Sequence, residues 1–357
     1  QRARDGRGVY GVKVIDFDRP FGEQVLTEEE AGIDPDVVQN RDQPISYSNH
    51  SVAVFVLDVR SYKTKWTKQS LDTKGDFLGE IQWKWLEEAL TRSKTAVNIV
   101  VQGLQVHADR HPDGNVAEAW SRFPAAQQRL YDLLLQQRPP SILVSGDVHM
   151  AELMRKDCRN QNGQVKSLTE VTTSGMTHSW GTRFCSRPTS NFICRYPYGN
   201  WVLRQSMHFA HWINPLNELI LSESGEMQYS LDLNFAEFEF DWEKNALIVR
   251  ILGQDGVLLL TTEWSLDDLN QGLQGSKLQE KHYQAIEKSQ EELGLPKSDW
   301  ICVSYRGVAH PYHRPFALTL TFLMPTAMLL GPIFVAIVLF IMVIRRFLKR
   351  GTPNTQT

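Results

Sequence analysis

The sequence predicts an α/β domain built around parallel strands, followed by one transmembrane helix, on three observations. Short β-branched apolar runs alternate with helical periodicity between residues 52 and 145, in the order strand, helix, strand, helix, strand. Three further runs between residues 231 and 264 read as an antiparallel meander. Residues 318–344 hold 27 positions without a charge. The composition agrees: 42% hydrophobic and 22% charged residues in a chain of 357 suit one large folded domain or two average ones. A net charge of −3, from 38 basic and 41 acidic residues, argues against a nucleic-acid-binding surface, which needs a basic patch or stripe.

Taken in order, residues 1–51 are loop-rich, with one strand-like piece at 8–17. The run 52–57 (VAVFVL) is the first clear strand and ends in Asp58-Val59-Arg60. After a polar loop, residues 79–93 place Ile81, Trp85, Leu86, Ala89 and Leu90 on one helical face. A second strand, 95–101, follows. Pro124 opens a helix at a position where proline is favoured; Ala126, Leu130, Leu133 and Leu134 form its stripe, and Pro139 and Pro140 stop it. The third strand, 141–145, runs into Gly146-Asp147-Val148-His149, and 168–173 reads as a fourth. The meander strands are 231–241, 246–252 and 257–264, with turns at 243–245 and 254–256. A surface helix at 277–293 ends at Gly294 and Pro296. The expected organisation is a domain at 1–264, a polar helical juxtamembrane segment at 265–315, a membrane helix at 316–344 and a basic tail at 345–357. Trp83, Trp85, Trp120 and Trp180 read as packing residues.

A bilayer core of about 30 Å needs about 20 helical residues, so the uncharged run is long enough to span it. Membrane helices tolerate breakers such as Pro325, Gly331 and Pro332. Arg345, Arg346, Lys349 and Arg350 follow directly and predict a cytoplasmic C-terminus, with 1–315 outside. The upstream Arg306, His310, His313 and Arg314 make that asymmetry moderate. Asn49-His50-Ser51 is a glycosylation acceptor triplet. Cys158, Cys185, Cys194 and Cys302 could form two disulfides in three connectivities; proximity in sequence favours Cys185 with Cys194, and the spacing matches no zinc site. The chain opens at Gln1 in polar sequence without an apolar signal region. That start reads as a fragment or a processed product.

In open α/β sheets, ligands bind outside the carboxyl ends of the strands. Here those ends carry Asp58 and Arg60; Gln102, Gln105 and His107; and Asp147 and His149. Gly146 lets the chain turn off its strand, and Asp147 and His149 can then aim at one point. Carboxylate and imidazole are candidate metal ligands, and a bound metal can orient phosphate and generate hydroxide. The plain alternatives are Asp147 as a helix cap and His149 as a core histidine. The planar fork of Arg60 suits phosphate oxygens; its alternative is a salt bridge with Asp58. His107 and His178 are weaker candidates, each more often structural or exposed. A serine nucleophile fares poorly, because no GxSxG elbow exists in the chain.

The runs LDVRSYKT (57–64), FLGEIQWKWLEEAL (77–90), QGLQVHAD (102–109), WSRFPAAQQRL (120–130), LVSGDVHMAEL (143–153) and LTEVTTSGMTHSW (168–180), in this order, resemble the PhoD-like (alkaline phosphatase D) family. NFAEFEFDW (234–242) is similar to the strand that follows there, so the resemblance covers roughly residues 8–260. It implies a metallophosphoesterase-like two-sheet sandwich flanked by helices, here its C-terminal portion, with a metal centre at the strand ends. It also implies hydrolysis of phosphate mono- or diesters. Carried over by motif, Asp147 and His149 become metal ligands, His149 and Arg60 catalytic residues, and Asp58 and Arg60 phosphate-binding or supporting residues. Divalent or trivalent ions are the implied cofactors, with calcium, iron or zinc plausible. The family's upstream GD-type aspartate and DDHD-like segment are not in this chain, and the membrane helix is an addition to the family pattern. The expectation is therefore a membrane-anchored phosphatase acting outside the cytoplasm on phosphate esters. The alternative is a catalytically incomplete membrane-anchored scaffold or binding protein.

Overall fold

The computed structural model describes residues 5–6, 8–34, 47–65, 71–109, 118–182, 199–213, 217–271, 278–308 and 313–350. They divide into two units, Gln1–Ser179 with Leu216–Ala309, and Trp180–Pro215 with His310–Thr357.

The first unit is built on four parallel neighbours: β3 (Ser51–Val56), β4 (Val97–Val101), β5 (Ser141–Ser145) and β7 (Val165–Thr173). Antiparallel strands flank them. β1 (Gly11–Asp16) and β2 (Val25–Leu26) extend one side; β6 (Ala151–Asn160), β8 (Tyr229–Ser230) and β12 (Trp300–Ser304) extend the other, completing a nine-stranded sheet. Side chains alternate between its faces. Ala53, Phe55, Val100 and Leu143 join one hydrophobic cluster with α1 (Gly79–Arg92) and α2 (Pro124–Gln136). Val52, Val97, Ile99 and Ile142 join another with a second sheet, β9 (Phe235–Asp241), β10 (Ala246–Leu252) and β11 (Leu258–Ser265). The layers are thus helices, nine-stranded sheet and three-stranded sheet. This two-sided burial explains why the central strands read as unbroken apolar runs. α1 buries Trp83, Trp85, Leu86, Ala89 and Leu90, while Ile81, expected on that face, is exposed.

Besides the two-residue β2 and β8, two strands were not legible in the sequence. β6 reads AELMRKDCRN, yet its first eight residues are buried. Two of its charges pair with each other: Arg155 Nε lies 2.6 Å from Asp157 Oδ1, which also accepts from Ser167 Oγ at 2.8 Å. β12 pairs with β6 so that Cys302 stands opposite Cys158, and the two are joined by a disulfide. α4 (Leu266–Gln271), α5 (Glu280–Glu292) and β12 belong to the first unit, with Tyr283 of α5 buried beneath the Arg159 guanidinium. The Cys158–Cys302 bond is the pair that two disulfides leave when Cys185 is joined to Cys194. Cys185 and Cys194 lie outside the described residues.

The second unit contains α3 (Gly199–Ile213) and α6 (His313–Arg350). Within α6, Thr326–Ile344 is 19 residues of mean hydropathy 2.9, none of them buried. At 1.5 Å per residue this is one helix long and apolar enough to cross a bilayer.

Candidate active site

Because β3, β4, β5 and β7 run parallel, their carboxyl ends share one edge of the sheet. At the β3 end, Asp58 is 8% exposed and its carboxylate is fully engaged. It accepts the backbone N–H groups of Val9 at 2.8 Å and of Arg60 and Ser61 at 2.9 Å, together with the Ser61 hydroxyl. Gly8, at φ +105°, lies so close to this carboxylate that a Cβ would stand 3.0 Å from Oδ2. Burial pushes the carboxyl up, but the hydrogen bonds outweigh it and hold it at about 2. Gln82 of α1 clamps the same residue, accepting its N–H and donating to its carbonyl, each at 2.8 Å. Asp58 therefore shapes the turn that carries Arg60 outward.

Arg60 does not pair with Asp58. Its guanidinium meets Glu118, which also takes Lys63, and its Nη2 reaches to 3.9 Å from Asp147 Oδ1. Arg60 and Asp147 are about half exposed, whereas Glu118 and Lys63 are mostly covered.

The turn leaving β5 is conformationally unusual. Asp147 (φ 70°) and His149 (φ 56°) both occupy the left-handed region, a cost of order 1 kcal/mol each that Asp and His bear better than most residues. Such outliers cluster at functional sites. No helix follows for Asp147 to cap, since the chain passes directly into β6, and His149 is half-buried rather than a core residue. The His149 N–H donates to Ser174 Oγ at 3.2 Å, and its ring stacks on His178 with centroids 4.1 Å apart. Arg60, Asp147, His149 and His178 thus form one chain of neighbours on the open edge. Glu118, Lys63 and Ser174 were missed by sequence reading. Nothing local marks them, because their roles depend on loops from different strands.

The β4 end serves the interior. Gln102 accepts the Leu104 N–H at 2.8 Å and the Trp120 Nε1–H at 2.9 Å. Gln105 Nε2 donates to Glu152 at 2.7 Å and Thr172 at 3.0 Å. His107 is fully buried, with Nδ1 3.1 Å from the Tyr131 hydroxyl and Nε2 2.9 Å from the Leu168 carbonyl. Burial, aided by the Lys156 charge, holds its imidazole down to about 3. Burial raises the neighbouring Glu170 to about 7, against hydrogen bonds from Ser145 and the N–H groups of Val106 and His107.

These two groups act in opposite senses between their unperturbed values of 4.5 and 6.5. There the unfolded His107 binds a proton that the folded one refuses, so stability rises with pH. Folded Glu170 keeps a proton that the unfolded chain releases, so stability falls with pH. Each slope reaches about 1.4 kcal/mol per pH unit, and together they nearly cancel. Glu170→Gln is expected to uncover the His107 slope, so that the denaturant midpoint climbs from pH 4.5 to 6.5 where the wild type stays near level. A mutant profile as level as the wild type would contradict the His107 assignment.

Among the described residues, no three His, Cys, Asp or Glu side chains converge to hold a metal ion. Asp147 and His149 are donors of the right kind, but two fall short of the three protein ligands usual in a catalytic zinc site.

Residues 48–193 match the family described as PhoD-like phosphatase. No curated protein matches the chain. A solved structure described as "Structure of PhoD" aligns at 18% identity and a TM-score of 0.30 over 37% of this chain. The aligned part spans 28% of that structure's own chain. The family match takes in Asp58, Arg60, Asp147, His149 and His178.

Proposed function

We propose that this protein is a membrane-anchored phosphatase that hydrolyses phosphate mono- or diesters at the Arg60–Asp147–His149 edge. The observation that carries the reading is the approach of the Arg60 guanidinium, which leaves β3, to the Asp147 carboxylate, which leaves β5 two residues before His149, within residues that match a phosphatase family model. Arg60 binds the phosphoryl oxygens and stabilises the charge that grows on them. Glu118 holds its fork in place from the far side. His149 serves the leaving oxygen, and the stacked His178 fixes its ring plane. Asp58 positions Arg60 and keeps its own carboxylate for the turn.

PhoD-like phosphatases are metal-dependent in general, and Asp147 and His149 are the donors this chain would offer an ion. Such an ion supplies charge neutralisation and an acidified water. The apolar span Thr326–Ile344 supports anchoring. The Cys158–Cys302 bond supports an oxidising compartment for the first unit, consistent with the basic tail on the cytoplasmic side.

The test is phosphate release from aryl mono- and diesters by the full-length protein in micelles. Turnover should vanish on chelation and return with added metal. Arg60→Ala should raise KM about 30-fold, the equivalent of about 2 kcal/mol for a charge-assisted contact, and Arg60→Lys should recover part of that. If no metal supports turnover, the scaffold reading takes its place.

A further inference from the structure

One sequence motif stands apart from the active edge. Asn49-His50-Ser51 is the sole N-x-Ser/Thr triplet in the chain. It lies in the turn that enters β3, whereas Asp58 and Arg60 leave that strand's other end. Six strand residues separate the two, or about 20 Å.

The turn is pinned by every residue except the acceptor. Ser48 Oγ donates to Asp16 Oδ1 at 2.6 Å, and the Ser48 N–H meets Asp16 Oδ2 at 3.2 Å. The His50 N–H donates to Ser48 Oγ at 3.1 Å, His50 Nδ1 lies 3.0 Å from Asp18 Oδ1, and the His50 ring stacks on Trp242 with centroids 5.1 Å apart. The Ser51 hydroxyl donates to the Ser48 carbonyl at 2.6 Å and is fully buried. Asn49 itself is exposed at the bend.

We propose that Asn49 carries an N-linked glycan, added while the chain is still unfolded. This rests on the reading that the first unit folds on the extracytoplasmic side. The donor is an oligosaccharide on a polyisoprenyl diphosphate. The Asn49 Nδ2–carbon bond forms at the anomeric carbon, the carbon–oxygen bond to the diphosphate breaks with its electron pair leaving on the diphosphate, and the displaced amide proton passes to a base of the transferase. Recognition needs the Ser51 hydroxyl together with the Asn49 amide. In the folded protein that hydroxyl is sealed under the turn, so transfer must precede docking of β3. Once folded, the glycan projects from the pole opposite Arg60, Asp147 and His149 and leaves their edge open.

The experiment is expression of the full chain in a glycosylating eukaryotic host, followed by peptide N-glycosidase digestion and gel mobility. The wild type should drop by a single glycan step, and Asn49→Gln should migrate at the digested position. Phosphate release by Asn49→Gln should equal that of the wild type. A control on the Asn49→Gln background is Asn162→Ser, which turns 160–162 in the β6–β7 turn into a new acceptor triplet. If the control is glycosylated while the wild type is not, the site proposal is overturned with its compartment intact. If neither is glycosylated and Cys158 and Cys302 are found as free thiols, the extracytoplasmic reading fails and takes the proposal with it.

Discussion

Asp147→Asn should lower phosphate-ester turnover of the full-length protein by about 10²–10³-fold, the range seen when one charge-stabilising group is removed from a reaction centre, with little loss of stability. The substitution isolates chemistry from folding for two reasons. Asn tolerates the left-handed backbone at φ 70° about as well as Asp does, so the turn off β5 survives. The side chain is about half exposed, and surface substitutions away from packed features stay within about 0.5 kcal/mol. For the companion position the same reasoning selects His149→Asn over His149→Ala, since alanine would be strained at φ 56°. His149→Asn removes the imidazole and is expected to cost about 10²–10⁴-fold, as for loss of a positioned acid or base. Initial rates and melting curves on the same preparations decide the matter. Unchanged rates in both variants would leave this edge without a catalytic role.

Cys158→Ala with Cys302→Ala should destabilise the first unit by about 3–5 kcal/mol. The bond links residues 144 apart in sequence. Chain-entropy arguments assign about 4.7 kcal/mol to a closed loop of about 100 residues, growing slowly beyond. At about 2–4 °C per kcal/mol for domains of this size class, the melting midpoint should fall by roughly 10 °C. The loss concentrates at β12, an edge strand held by its ladder to β6 and by packing of α2 and α5. Residues 278–308 should therefore become the first site of proteolysis. Reductant should act slowly on the native wild type, because Cys158 is fully buried and Cys302 nearly so. An unchanged midpoint in the double variant would mean that the pairing contributes nothing beyond the β6–β12 ladder.

Both results bear on how far the sequence could be read. The central strands were legible because two-sided burial writes itself as short apolar β-branched runs, and α1 and α2 because one buried face imposes a helical period. β6 was not, since Arg155, Lys156 and Asp157 look like a solvated segment. Arg155 and Asp157 are buried as a pair, and Ser167 on β7 donates to the same carboxylate oxygen. β12 was hidden for a similar reason: five residues have no meaning as a strand until β6 presents an unpaired edge.

Contiguous stretches suffice to name the residues leaving parallel strands at one edge, Arg60, Asp147 and His149 among them, and an apolar helix of membrane length. Both follow from local patterns, because strand direction and helix hydrophobicity are properties of contiguous residues. Folding alone selects which of the candidates share the edge and what they touch there. Asp58 turned inward to hold a loop, His107 sank into the core with Tyr131, Glu118 and Lys63 arrived beside Arg60, and Cys302 met Cys158. Apart from the local Asp58 contacts, those pairings join residues tens to more than a hundred positions apart. Their energies depend on strand order and register, quantities to which no single stretch of sequence responds.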